Sequence, residues 1–151
     1  MRSDAMECVI FIGIQASGKS TFYQQHFFYS HTHISLDVLK NRQRQRHFID
    51  LCLETQQRFV IDNTNFNQDE RTEYIAWAKQ KKFKVIAYFF EPNFDRSMAY
   101  NQQRTGKRCV PDVAIKSTIK KLEAPHMAEG FDQIFYVSHD VDGKFIAKEQ
   151  I

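Results

Sequence analysis

With 151 residues, 42% of them hydrophobic and 14% aromatic, the chain predicts one globular domain with a substantial core and no room for a second. No apolar run approaches the ~20 residues that span a bilayer, and Met1–Glu7 lacks a signal-peptide core, so a cytoplasmic protein with no membrane partner is expected. A formal net charge of +3 permits nucleic acid as a partner without demanding it, and Cys8, Cys52 and Cys109 are too scattered for a disulfide or metal pattern, which predicts free thiols.

From the N-terminus, Cys8-Val9-Ile10-Phe11-Ile12 is a short apolar run suited to a buried parallel strand. It leads into Gly13-Ile14-Gln15-Ala16-Ser17-Gly18-Lys19-Ser20, which reads G-x-x-x-x-G-K-S, and Thr21 to Gln25 can continue as a helix. Strand, glycine loop and helix form the context in which this octet binds phosphate. A glycine turn with a solvated lysine is the weaker reading. Gly13 and Gly18 permit backbone angles and a close approach that a side chain would block. Successive N–H groups between Gly13 and Thr21, those of Gln15, Ala16 and Ser17 among them, can then face phosphate oxygens with the helix dipole behind them. Lys19 is placed to reach the β- and γ-phosphates of a nucleotide and the Ser20 hydroxyl to ligate Mg²⁺.

His31 to Ser35 can supply a second short strand, with Leu36 to Lys40 leaving its end. Asn41 to Arg46 is polar and basic, after which Phe48, Leu51, Cys52 and Thr55 recur at helical spacing. Phe59-Val60-Ile61 is a third strand, closed by Asp62-Asn63-Thr64-Asn65. Gln68 to Lys82 reads as an amphipathic helix with Tyr74, Trp77, Ala78 and Lys81 along one side. Val85 to Phe90 is the fourth strand, and Asp95 to about Arg104 a helix, broken by the segment from Thr105 to Pro111. Another helix from Asp112 carries Ile115, Ile119 and Leu122 inward, and Ile134 to Val137 is the fifth strand. Asp142-Gly143 between apolar flanks signals a hairpin in the tail. The same residues begin a D-x-D-G phosphatase signature at Asp140, but only eight residues follow Gly143, so a turn is the better reading.

Strands alternating with helices predict a three-layer α/β fold with a mostly parallel sheet, whose ligands lie outside the carboxyl ends of the strands. That rule gathers the loop from Gly13, Asp37 after strand two and Asp62 after strand three. Asp62 is either a carboxylate near Mg²⁺ or a cap for the next helix. Asp37 is either a general base for an attacking hydroxyl or a cap. Arg104 and Arg108, flanking Thr105-Gly106-Lys107, suit a segment that closes over a triphosphate, or are simply exposed.

Gly13–Ser20, Ser35-Leu36-Asp37, Val60-Ile61-Asp62-Asn63-Thr64-Asn65, Asn101-Gln102-Gln103-Arg104 before Val110-Pro111, and the stretch from Glu123 to Phe131 follow one another in a familiar order. Together they resemble the P-loop kinases that include the kinase domain of polynucleotide kinase and its bacterial single-domain relatives. The resemblance covers nearly the whole chain. It implies a nucleoside-kinase-like P-loop NTPase with five parallel strands in the order 2-3-1-4-5. It also implies ATP and Mg²⁺ as cofactors, Asp37 as base for a 5′-hydroxyl of DNA or RNA, and Arg104 as a lid arginine. Lys19 and Ser20 then serve ATP and Mg²⁺, with Asp62 beside them, and Asp37, Lys40 and Asn65 fall on the substrate side. Lys40 departs from the arginine with which related enzymes grip the substrate phosphate, and a lysine lacks that two-pronged geometry. Arg42, Arg44 and Arg46 either bind a strand's phosphates or mark a solvated face. The readings open at this point are polynucleotide kinase, small-molecule kinase, and a nucleotide-binding switch.

Overall fold

The computed structural model describes residues 5–104, 106 and 109–151. β1 (Glu7–Ile12) runs through the middle of a six-stranded sheet whose other strands are β2 (Thr32–Ile34), β3 (Phe59–Asp62), β4 (Lys84–Phe90), β5 (Gln133–His139) and β6 (Phe145–Glu149). The order is β2-β3-β1-β4-β5-β6. The first five strands are mutually parallel, in the expected order, and β6 pairs antiparallel with β5. The sheet therefore has six strands rather than five. The tail supplies the sixth because Asp140 Oδ1 accepts from the backbone N–H groups of both Asp142 and Lys144 at 2.9 Å, while Gly143 adopts φ 82°. The Asp-Gly pair is a hairpin turn, as read.

Helices cover both faces. Cys8, Ile10 and Ile12 of β1 join Phe59, Ile61, Val85, Ala87 and Phe89 beneath α3 (Arg42–Thr55) and α4 (Gln68–Gln80). Val9 and Phe11 point the other way, with Val60, Ile86 and Phe90, against Phe22, Tyr23 and Phe27 in and after α1 (Lys19–His26). Cys8 to Ile12 are all fully buried, which is why β1 reads as an unbroken apolar run rather than an alternation. The short α2 (Leu36–Leu39) follows β2, and α5 (Phe94–Gln102) and α6 (Asp112–Lys121) follow β4. Among the described residues no helix is long and apolar enough to cross a membrane.

The inward face of α3 departs from expectation. Phe48, Leu51 and Thr55 are exposed, and the buried stripe is Gln45, Ile49, Cys52 and Leu53. Asn41 fixes the start of this helix by accepting from Arg44 N at 2.9 Å. The stripe then opens with a polar residue that a search for apolar spacing passes over. In α4 Tyr74 and Ala78 are buried and Trp77 partly so, whereas Lys81 is an exposed C-cap and Arg71 is fully buried. Arg71 donates through Nε to the Asn67 carbonyl at 2.9 Å and through Nη2 to the Glu123 carbonyl at 3.0 Å, and lies 3.3 Å from the Glu129 carboxylate. Glu123 Oε2 in turn accepts from Gln68 N at the start of α4. The Glu123–Phe131 stretch is thus a strap bound to α4 just before β5. In α6 Ile115 is buried, with Ile119 and Leu122 partly covered. Cys8 and Cys52 are buried free thiols, pushed up from their ordinary pKa by that burial, and Cys109 is exposed.

Candidate active site

The carboxyl ends of β1, β2 and β3 open into a cavity of about 320 Å³ that brings together Gln15, Lys19, Ser20, Asp37, Asp62, Asn65 and Arg104. Its floor is the glycine loop. Gly13 N donates to the Thr64 carbonyl at 3.1 Å, and a Cβ at Gly13 would stand 2.9 Å from Phe90 Cβ and 3.0 Å from Ser17 Oγ. Gly18 begins α1 in the left-handed region, φ 91°, and a Cβ there would meet the Phe145 ring at 2.9 Å. Among the described residues no side chain caps α1, and no acid occupies its first turn, so its leading N–H groups remain available to an anion. Gln15 Oε1 and Ser17 Oγ are buried in the same loop with no hydrogen-bond partner among the described residues, the state expected of groups whose partner is a ligand.

Lys19 Nζ donates to the carbonyls of Gly13 at 3.2 Å and Ile14 at 2.9 Å. Burial holds this ammonium below the usual lysine range; the carboxylates of Asp62 and Asp37 work in the opposite direction, and Arg104 adds to the lowering. Asp62 ends β3 as a buried carboxylate. Its Oδ2 accepts from Ser20 Oγ at 3.2 Å and lies 2.7 Å from His33 Nε2. It does not cap the following helix, because Asn67 does so by accepting from Glu70 N. Asp37 is not a cap either: Ser35 caps α2, accepting from Asp37 N at 3.2 Å, and leaves the Asp37 carboxylate exposed on the cavity wall.

A polar chain that the sequence did not announce holds α2 in place. Asn63 Oδ1 accepts from Leu36 N at 2.9 Å, and its Nδ2 donates to Gln45 Oε1 at 2.7 Å. Gln45 Nε2 and Arg42 Nη1 each donate to Tyr74 OH at 2.8 Å, and Arg42 Nη2 pairs with Glu70 at 2.7 Å. The turn carrying Asp37 is therefore tied to α3 and α4 by satisfied hydrogen bonds, which hold geometry in a low-dielectric setting. A polar residue inside a helical stripe, Gln45, was the available signal.

The remaining expected residues divide. Arg104 lies on the cavity wall, while Arg108 falls outside the described residues. Asn65 is buried with φ 49°, and its Nδ2 donates to the carbonyls of Phe11 at 2.8 Å and Ile61 at 3.4 Å, stitching β1 to β3. Lys40 is not on the cavity wall; its Nζ donates to the Asp37 carbonyl at 2.7 Å, and the nearby wall cation is Arg42. Arg46 pairs with Asp50 and lies 3.5 Å over the Trp77 ring, and Arg44 Nη1 donates to the Leu39 carbonyl at 3.5 Å. The basic run is thus largely helix surface.

Ser20 and Asp62 offer the hard oxygen donors that Mg²⁺ takes. Among the described residues no three His, Cys, Asp or Glu side chains gather as a metal cage.

Comparison with known proteins agrees with this architecture. A family model described as "AAA domain" matches residues 39–125. The bifunctional polynucleotide phosphatase/kinase of Schizosaccharomyces pombe is 23% identical over 142 residues, covering 88% of this chain and 34% of the relative, so the chain spans about a third of that protein. Kti12 of Chaetomium thermophilum, solved in complex with ADP-AlF3, superposes with a TM-score of 0.71 at 14% identity, covering 88% of this chain and 89% of that one. A gluconokinase from Sinorhizobium meliloti 1021 superposes with a TM-score of 0.56 at 15% identity, covering 90% of this chain and 83% of that one. Matched over more than half its length and built around a P-loop at the head of α1, the chain belongs to the AAA-domain family and has the P-loop kinase fold.

Proposed function

We propose that the protein is an ATP- and Mg²⁺-dependent phosphotransferase that moves the γ-phosphate of ATP to a hydroxyl, with the 5′-hydroxyl of a DNA or RNA end as the acceptor. One observation carries the reading. Asp37, freed from capping by Ser35, stands on the wall of the same cavity as Lys19 and Ser20. The loop N–H groups and Lys19 hold the triphosphate. Ser20, with Asp62 beside it, would hold Mg²⁺, which would neutralise phosphate charge when bound. Asp37 accepts the proton of the acceptor hydroxyl as its oxygen bonds to the γ-phosphorus, and the bond to the ADP oxygen breaks. Arg104 offsets charge on the transferring group.

The polynucleotide acceptor rests on the similarity to the fission-yeast enzyme and on the motif order. A small-molecule acceptor is the second reading, favoured by Lys40 lying off the cavity wall and by the likeness to a gluconokinase. Incubation with γ-labelled ATP, Mg²⁺ and a 5′-hydroxyl oligonucleotide, beside a panel of sugars and nucleosides, separates them. Label on the oligonucleotide end supports the first reading and label on a small alcohol the second. ATP hydrolysis with no labelled acceptor leaves a nucleotide switch.

A further inference from the structure

β2 is only three residues long, yet its middle residue enters the site. In the parallel register His33 stands beside Val60, whose side chain faces α1, and two residues further along β3 the same face bears Asp62. His33 Nε2 comes within 2.7 Å of Asp62 Oδ2. A carboxylate only accepts, so the imidazole donates from Nε2. The ring has little freedom: it stacks on Tyr23 with centroids 4.1 Å apart and planes 18° from parallel. Tyr23 is itself buried and anchored by its hydroxyl to the His31 carbonyl. Ser20 Oγ donates to the same carboxylate oxygen at 3.2 Å. A buried carboxylate with both donors on one oxygen has its plane set before any nucleotide arrives.

Resting on the phosphotransfer reading, we infer that His33 is a positioning residue for the metal side of the site: it holds Asp62 by Oδ2 so that the carboxylate meets Mg²⁺ through the ion's water shell and not by direct ligation through that oxygen. Two features support this. Nε2–H and the Ser20 hydroxyl together take the two lone pairs that a cation would otherwise find on Oδ2. Mg²⁺ also sheds water reluctantly and is commonly held with several waters in place. Nothing in the P-loop octet itself contains this contact, because His33 and Asp62 come from different strands.

The test compares His33→Leu, which keeps apolar contact with Tyr23 but cannot donate, with His33→Gln, whose amide nitrogen can reach as Nε2 does. Nucleotide binding is titrated calorimetrically without metal and then across a Mg²⁺ series, with melting temperatures recorded alongside. The expected result is unchanged metal-free ATP binding in all three proteins. The Mg²⁺ midpoint should rise in His33→Leu by about 10- to 100-fold, the usual cost of losing a partner that orients a metal-site group, and return most of the way in His33→Gln. A purely structural role would lower the melting temperature and weaken metal-free ATP binding together, and that result overturns the inference. So does a His33→Leu midpoint within about twofold of wild type, a small fraction of the loss expected. Because the readout is binding, wild type that labels no acceptor overturns the phosphotransfer reading separately, while the shifted midpoint still reports on His33.

Discussion

Lys19→Met removes the loop's charge while keeping the length of its side chain, and its effect divides between two states of the protein. Without nucleotide, the partly buried ammonium is held below its usual pKa by burial, and two of its three protons go to the Gly13 and Ile14 carbonyls. Removing it deprives two carbonyls of a donor, about 1 kcal/mol each. It also removes a buried cation, a relief of similar size or larger. The two effects offset, so the melting temperature of the free protein should move by less than about 3 °C, taking 2–4 °C per kcal/mol for a domain of this length. ATP changes the balance. At 100 times its dissociation constant a ligand selective for the folded state stabilises by about 2.7 kcal/mol, a rise of roughly 5–10 °C. The variant should lose most of that rise, because the charge facing the phosphates is gone. Thermal melts of both proteins with and without MgATP measure both quantities. A Lys19→Met protein that keeps the full ATP shift would refute the assignment of the loop as the nucleotide site. One that melts more than about 10 °C lower without ATP would make the lysine structural instead.

Three further outcomes are expected. Arg104→Ala should lower kcat on the order of 10³-fold while ATP affinity stays close to wild type, as for arginines that act on transition-state charge; an effect confined to KM would make it a ground-state contact. Arg71→Met strands the buried Glu129 carboxylate and frees the strap from α4, so denaturant unfolding should show a loss of about 3–5 kcal/mol; a loss below about 1 kcal/mol would deny the strap a structural role. Glu7 is held below the ordinary carboxyl range, first by its hydrogen bond to His31 and against the opposing effect of burial. Its contribution is therefore present above the unfolded pKa and is lost as the pH falls through the folded one. Glu7→Gln should be less stable than wild type by about 1 kcal/mol at pH 7, with the gap closing below about pH 4. A gap that persists in acid would rule out the ionised Glu7 carboxylate as its source.

Much of the fold was legible because its signals are local. An apolar run, a glycine loop and a helix announce β1 and α1, and the Asp-Gly pair announces the hairpin that adds β6. The strand-end rule brought Lys19, Asp37 and Asp62 to one cavity from strands that share no local sequence. What escaped is non-local or polar. The α3 face was misread because Gln45 and Ile49 lead it, and Gln45 is buried for its bonds to Asn63 and Tyr74 rather than for apolarity. Arg71, which the apolar pattern does not single out, is buried beside the Glu129 carboxylate with two of its nitrogens donating to the Asn67 and Glu123 carbonyls. His33 came to the site only through the pairing of β2 with β3. Asn65, expected on the substrate side, lines the cavity while its Nδ2 donates to the backbone of β1 and β3, a bond across two strands that no local pattern announces.

Whether Asp37 takes the acceptor's proton is decided by the Asp37→Asn substitution. Asparagine keeps the shape of the side chain on the cavity wall and leaves the Ser35 cap untouched, since that bond uses the backbone N–H of residue 37. ATP binding is measured by titration, and transfer in a single turnover to the acceptor that wild type labels. Phosphotransfer with Asp37 as base predicts near-wild-type ATP affinity and transfer slowed about 10²- to 10⁴-fold. Transfer at the wild-type rate in Asp37→Asn would contradict it.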